Sequence, residues 1–86
     1  MASYSLEIKR SAAKELGRTP PKDRDRIVSR IQALARDPRP LGAEKLSGQE
    51  RYRVRQGDYR ILYEIADAIL RVMVVRIAHR REVYRP

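Results

Sequence analysis

The stretch from Arg51 to Tyr63, RYRVRQGDYRILY, leaves the chain little choice of local fold. Gly57-Asp58 is a two-residue turn signal between two runs that alternate with period two, so the stretch reads as a β-hairpin. That turn pairs Gln56 with Tyr59, Arg55 with Arg60, Val54 with Ile61, Arg53 with Leu62 and Tyr52 with Tyr63. Paired residues share a face. Tyr52, Val54, Tyr59, Ile61 and Tyr63 therefore fall on one side and Arg53, Arg55 and Arg60 on the other. A slip of one residue would turn every side chain over and mix the two sets.

Two arginines directly opposite each other destabilise a sheet, and a third lies about 6.6 Å along the strand. An anion would relieve the repulsion, and rigid guanidinium forks suit phosphate oxygens. The arginine face thus reads as a polyanion site or as a solvated basic face, with charge alone favouring neither.

Composition narrows the field. Lys and Arg number 20 against 11 Asp and Glu, a formal net charge of +9, which attracts nucleic acid, an anionic membrane or an acidic protein. With 86 residues and no cysteine, the chain reads as one domain, 1–86, with a marginal core and neither disulfides nor thiolate metal sites. A single histidine, His79, argues against a histidine-based metal centre. No apolar run reaches the length of a membrane span, and MASYSLEIKR lacks the apolar core of a signal peptide. A cytoplasmic protein without a membrane partner is the default.

Along the chain, Tyr4, Leu6 and Ile8 alternate with Ser5, Glu7 and Lys9 as in a half-buried strand. Ser11 reads as the cap of a short helix from Ala12 to Leu16, with Ala12, Ala13 and Leu16 inward and Gly17 at its end. Thr19 before Pro20-Pro21 reads as the cap of a second helix, with Asp23 and Asp25 complementing its dipole. Ile27, Ile31, Leu34 and Ala35 form its apolar stripe, and Asp37-Pro38-Arg39-Pro40 stops it after Arg36. Leu41 to Gln49 reads as a loop carrying Lys45. After the hairpin and a turn at residues 66–69, Leu70 to Ala78 is the most apolar strand. Straight parity sets Leu70, Val72 and Val74 with the tyrosines and Met73, Val75 and Ile77 with the arginines. Continued to His79, it puts the imidazole on the arginine side. Glu64 is expected to oppose Arg71. The order β-α-α-β-β-β, with two N-terminal helices on one face of a small, mainly antiparallel sheet, is an α+β fold.

GDYRILY followed by RIAHRREVYR, with LSG before the hairpin and a Pro-rich stop after the second helix, resembles the RelE/ParE superfamily of toxins, on its RelE branch. The resemblance covers nearly the whole chain. It implies a toxin from a type II toxin–antitoxin pair that cleaves mRNA in the ribosomal A site, without metal or cofactor. The 2′-hydroxyl of the substrate would be the nucleophile, and the products a 2′,3′-cyclic phosphate and a 5′-hydroxyl. Arg53 and Arg55 match the family's alternating basic pair, where lysines are typical, and Arg60 matches the arginine at the scissile phosphate. Arg80 matches a second phosphate clamp, for which Arg81 competes as an RNA contact. Tyr84 matches the C-terminal tyrosine that stacks on a base and takes part in proton transfer, or it pins the tail to the sheet. Because arginine stays protonated, the two replacements for lysine leave His79, with an intrinsic pKa near 6.5, as the candidate acid or base, or as a packing residue. Lys45 reads as a solvated loop charge or an rRNA contact.

The resemblance also implies a small acidic antitoxin as partner, with operator DNA reached only through it. Two other readings stay open: a ParE-like inhibitor of gyrase without chemistry, which the arginine cluster disfavours, and a basic RNA-binding module or inactive relic of a toxin.

Overall fold

The computed structural model describes residues 3–46 and 50–83, with the side chains of residues 82 and 83 excepted. Strand β1 (Ser5–Ile8) leads into α1 (Arg10–Gly17) and α2 (Pro21–Ala33), followed by β2 (Glu44–Leu46), β3 (Arg51–Gln56), β4 (Tyr59–Ala66), a short 3₁₀ turn, β5 (Arg71–His79) and α3 (Arg80–Val83). The strands form one sheet in the order β1-β5-β4-β3-β2. Among the described residues β1 and β5 run parallel, and the other pairings are antiparallel. The α+β architecture with two helices on one face is as the sequence suggests, with β2 as an added strand. Three residues are too few to display alternation, so β2 reads as loop until its pairing with β3 is seen.

The hairpin pairs Arg55 with Arg60, Arg53 with Leu62 and Tyr52 with Tyr63, in the register that the turn dictates. Tyr52, Val54, Ile61, Tyr63, Ile65, Val72 and Val74 are buried against Ala12, Ile27, Ile31 and Leu34. Tyr63 is completely buried and donates its hydroxyl hydrogen to the Pro38 carbonyl at 2.7 Å. Burial pushes that hydroxyl's pKa up to about 12.

Strand β5 departs from straight parity. Leu62 pairs with Arg76 while its neighbour Tyr63 pairs with Val74, so Val75 is an extra residue, a β-bulge. Beyond it the faces exchange. Ile77 pairs with Ile61 and is buried in the core, not beside the arginines, and Ala78 lies opposite Arg60. Strand β1 ends at Val74, and past that point the Ile77 N–H donates to the Glu15 carboxylate of α1 at 2.9 Å.

Other expectations are corrected locally. Helix α1 starts at Arg10, with Lys9 at its N-cap and no side-chain cap bond, so Ser11 lies within it. Thr19 is buried and turns back to donate to the Glu15 carbonyl at 3.0 Å; the N-cap of α2 is Pro20. Leu70, in a left-handed conformation at φ 49°, belongs to the turn and is exposed. Ala66, not Glu64, opposes Arg71.

Candidate active site

The turn of the hairpin is where the basic face becomes a cavity. Gly57 takes φ +59° and Asp58 does not share the positive φ, the pattern of a type II′ turn with glycine first. That turn sets Arg55 and Arg60 opposite each other on the last paired positions but one. Strand β5 then ends and α3 turns back over the hairpin. The Arg80 N–H donates to the Asp58 carbonyl at 2.6 Å, and its guanidinium lies 3.7 Å from the Asp58 carboxylate. Arg55, Gly57, Asp58, Arg60 and Arg80 together line a cavity of about 260 Å³.

Among the described residues, three arginines and one carboxylate, that of Asp58, thus line the same space. Arg60 is only 4% exposed, so its side chain is held by its surroundings; Arg55 and Arg80 are exposed. A cavity lined by three such forked donors, one of them held in place by burial, suits a phosphate oxygen cluster.

Farther from the turn, the same face is neutralised pair by pair. Arg51 is ion-paired with Glu64 and Arg71 with Glu7 at 3.1 Å. Arg53 donates to Glu44 of β2 at 3.0 Å, while its buried Nε has no hydrogen-bond partner among the described residues. Arg53 therefore stands beside the cavity with its charge already answered. Leu62, Met73 and Val75 are half-buried on the sheet nearby.

The remaining candidates lie elsewhere. Lys45 pairs with Tyr52 across the β2–β3 ladder, which puts it on the helix side, where Glu50 accepts from it at 3.1 Å. His79 pairs with Tyr59. The bulge has moved it to the helix side as well, so the expectation that it faces the arginines is wrong. Its ring meets Tyr59 edge-on, with centroids 5.2 Å apart, and it shares a cavity with Glu15, Arg18 and Thr19. Arg81 is exposed on α3. Tyr84 and the Ser47-Gly48 pair lie outside the described residues.

Two residues of the site escaped sequence reasoning. Asp58 passes for a turn former, yet it tethers Arg80. Glu44 belongs to the unread strand β2, so nothing in the sequence paired it with Arg53.

A family model described as the ParE toxin of type II toxin-antitoxin system, parDE, matches residues 6–84. The chain belongs to this toxin family. The toxin is 30% identical over 86 residues to Toxin RelG of Mycobacterium tuberculosis, covering 95% of this chain and 97% of the relative. It is 34% identical over 84 residues to Toxin RelE of the same organism, covering 95% of this chain and 87% of that one. Among solved structures, the RelBE2 toxin–antitoxin complex from Mycobacterium tuberculosis contains a chain that matches the toxin with a TM-score of 0.81 at 26% identity, over 91% of this chain and 99% of that one. The likeness takes in nearly the whole chain, so the arginine cavity sits on a RelE/ParE toxin fold.

Proposed function

We propose that this toxin, acting as one domain over residues 1–86, is a ribosome-dependent endoribonuclease that cleaves mRNA in the A site. One observation carries the reading: Arg55, Arg60 and Arg80 converge on a single cavity at the hairpin turn. In the reaction the ribose 2′-oxygen forms a bond to the adjacent phosphorus while the bond from phosphorus to the 5′-oxygen breaks. The 2′-hydroxyl loses a proton, the 5′-oxygen gains one, and the products are a 2′,3′-cyclic phosphate and a 5′-hydroxyl. Negative charge on the non-bridging oxygens grows toward the pentacovalent state, so fixed guanidinium groups bind that state more strongly than the ground state.

In this scheme buried Arg60 is the preorganised ligand of the scissile phosphate, and Arg55 and Arg80 close on it from β3 and α3. Arg53 joins as a neighbouring phosphate contact when RNA displaces Glu44, Arg81 and Lys45 contact flanking mRNA or rRNA, and Tyr84 stacks on a base. Arginine cannot take the 2′-proton, and His79 lies on the other side of the sheet. The triad's contribution is therefore charge and position, and the scheme requires neither metal nor cofactor from the chain. The partner in the cell is a small acidic antitoxin, through which alone operator DNA is reached; the similar structure noted above is itself a toxin–antitoxin complex. Ribosome and mRNA make the site of action the cytoplasm.

Primer extension on a translated message tests the reading. The toxin should leave fragments with 5′-hydroxyl ends, a message with a 2′-deoxynucleotide at the scissile position should stay whole, and Arg60→Ala should abolish cutting. Cleavage of the deoxy-substituted message would reject the 2′-hydroxyl mechanism. A second reading, inhibition of gyrase by binding, is favoured by the ParE family model; loss of supercoiling activity with mRNA left intact would establish it instead.

A further inference from the structure

His79 has a clear structural position that the proposed chemistry leaves unused. It is the last residue of β5 and immediately precedes α3, and its Nδ1 accepts a hydrogen bond from the Arg81 N–H at 3.2 Å. This is the bond of an N-cap: the side chain before a helix satisfies the N–H of the second helical residue. Four residues of helix have almost no intrinsic stability, so α3 depends on what anchors its first turn. Among the described residues its first turn has two anchors, the Asp58 carbonyl on the Arg80 N–H at 2.6 Å and His79 on the next N–H.

We propose that His79 is a positioning residue, which caps α3 from the helix side of the sheet and so holds Arg80 over the hairpin turn. The inference rests on the reading of Arg80 as a phosphate ligand. The bulge at Val75 is what makes it possible, because it turns the imidazole away from the cavity while the next residue, Arg80, reaches into it. Tyr59 grips the ring edge-on, and Glu15 and Arg18 are the charged groups that share its cleft. As a cap, Nδ1 must carry a lone pair, which places the proton of the neutral ring on Nε2. Protonation of Nδ1 turns the acceptor into a donor and removes the cap. Asparagine supplies the same acceptor geometry as an N-cap but transfers no proton, so it separates capping from acid–base chemistry.

The test compares full-length His79→Asn and His79→Ala with the wild type by two readouts, amide hydrogen exchange at Arg81 and ribosome-dependent mRNA cleavage. His79→Ala should speed Arg81 exchange about tenfold and slow cleavage by a similar factor, the usual effect of losing a cap. His79→Asn should keep both within about threefold of wild type, and the effect of His79→Ala on cleavage should vanish when Arg80 is already alanine. An asparagine variant as impaired in cleavage as the alanine variant, with Arg81 still protected, would overturn the inference in favour of proton transfer. Unchanged Arg81 exchange in His79→Ala would show that no cap exists. A wild-type protein that leaves mRNA whole overturns the nuclease reading, and the exchange rates then decide the cap on their own.

Discussion

The bulge at Val75 can be tested by the unequal cost of two truncations. Ile77 is 3% exposed and packs in the core through its pairing with Ile61, whereas Val75, the extra residue, is half-buried on the strand. Removing a well-buried isoleucine side chain to its Cβ typically destabilises by about 2–5 kcal/mol, because the cavity adds to the lost transfer energy. For Ile77→Ala about 3 kcal/mol is expected, and for a domain of this size that lowers the melting temperature by about 12–24 °C. Val75→Ala loses two methyl groups that are already partly in water, so about 1 kcal/mol or less is expected. A strand without the bulge would make the two losses similarly small, since Val75 and Ile77 would then share the open face. Thermal melts followed by circular dichroism, with urea midpoints as a check, decide between the two. Deleting Val75 outright should also leave a folded protein, because Arg76 then follows Val74 in regular register and Ile77 stays inside. Equal losses from both alanine variants, or a larger loss from Val75→Ala, would refute the bulge and the face assigned to His79.

Three further outcomes follow from named contacts. Asp67 accepts from Arg39 and from Tyr4, and these hold its carboxyl at about 2, below the ordinary 3.8. A pKa lowered by folding contributes stability that is present above the ordinary value and is lost as pH falls through the folded one. Asp67→Asn should therefore flatten the acid-denaturation curve between about pH 4 and pH 2, and an unchanged slope contradicts the role. Tyr63→Phe strands the Pro38 carbonyl and should cost about 1–3 kcal/mol in urea titrations; a neutral change would mean that the carbonyl finds another donor. Glu44→Gln removes the carboxylate that answers Arg53. Binding of single-stranded RNA, followed by fluorescence anisotropy at several salt concentrations, should tighten, with a log–log slope steeper by about 0.7 for one added phosphate contact; an identical slope would leave Arg53 out of the interface.

Much of the site was legible because the hairpin encodes its own register. Gly57-Asp58 and the alternation around it fix which residues face the helices, and Arg55 opposite Arg60 follows from counting alone. Tyr52 and Tyr63 fall to the core by the same count, and both are buried there. What parity cannot reveal is an extra residue: nothing in Arg71–His79 marks Val75 as unpaired, since Val74, Val75 and Ile77 are all suited to either side of a central strand. That one residue reversed Ile77 and His79. Charge compensation was equally hidden, because the pairing of Arg53 with Glu44 depends on a three-residue strand. Caps misled for a related reason. Thr19 has the chemistry of an N-cap, but its hydroxyl satisfies the end of the preceding helix instead.

The central claim is that cations converge at the hairpin turn and act there as a unit, while Arg51 and Arg71, ion-paired farther along the sheet, are structural. Ribosome-dependent cleavage rates of Arg55→Ala, Arg60→Ala, Arg80→Ala and Arg51→Ala measure it directly, each variant first checked for native fold by circular dichroism. Loss of a transition-state donor typically lowers the rate about 10²–10³-fold, and that is the effect expected at each of the three cavity arginines. Arg51, paired with Glu64 and distant from the turn, should retain most of the wild-type rate. Four similar, small losses would mean a diffuse basic surface in place of an active site.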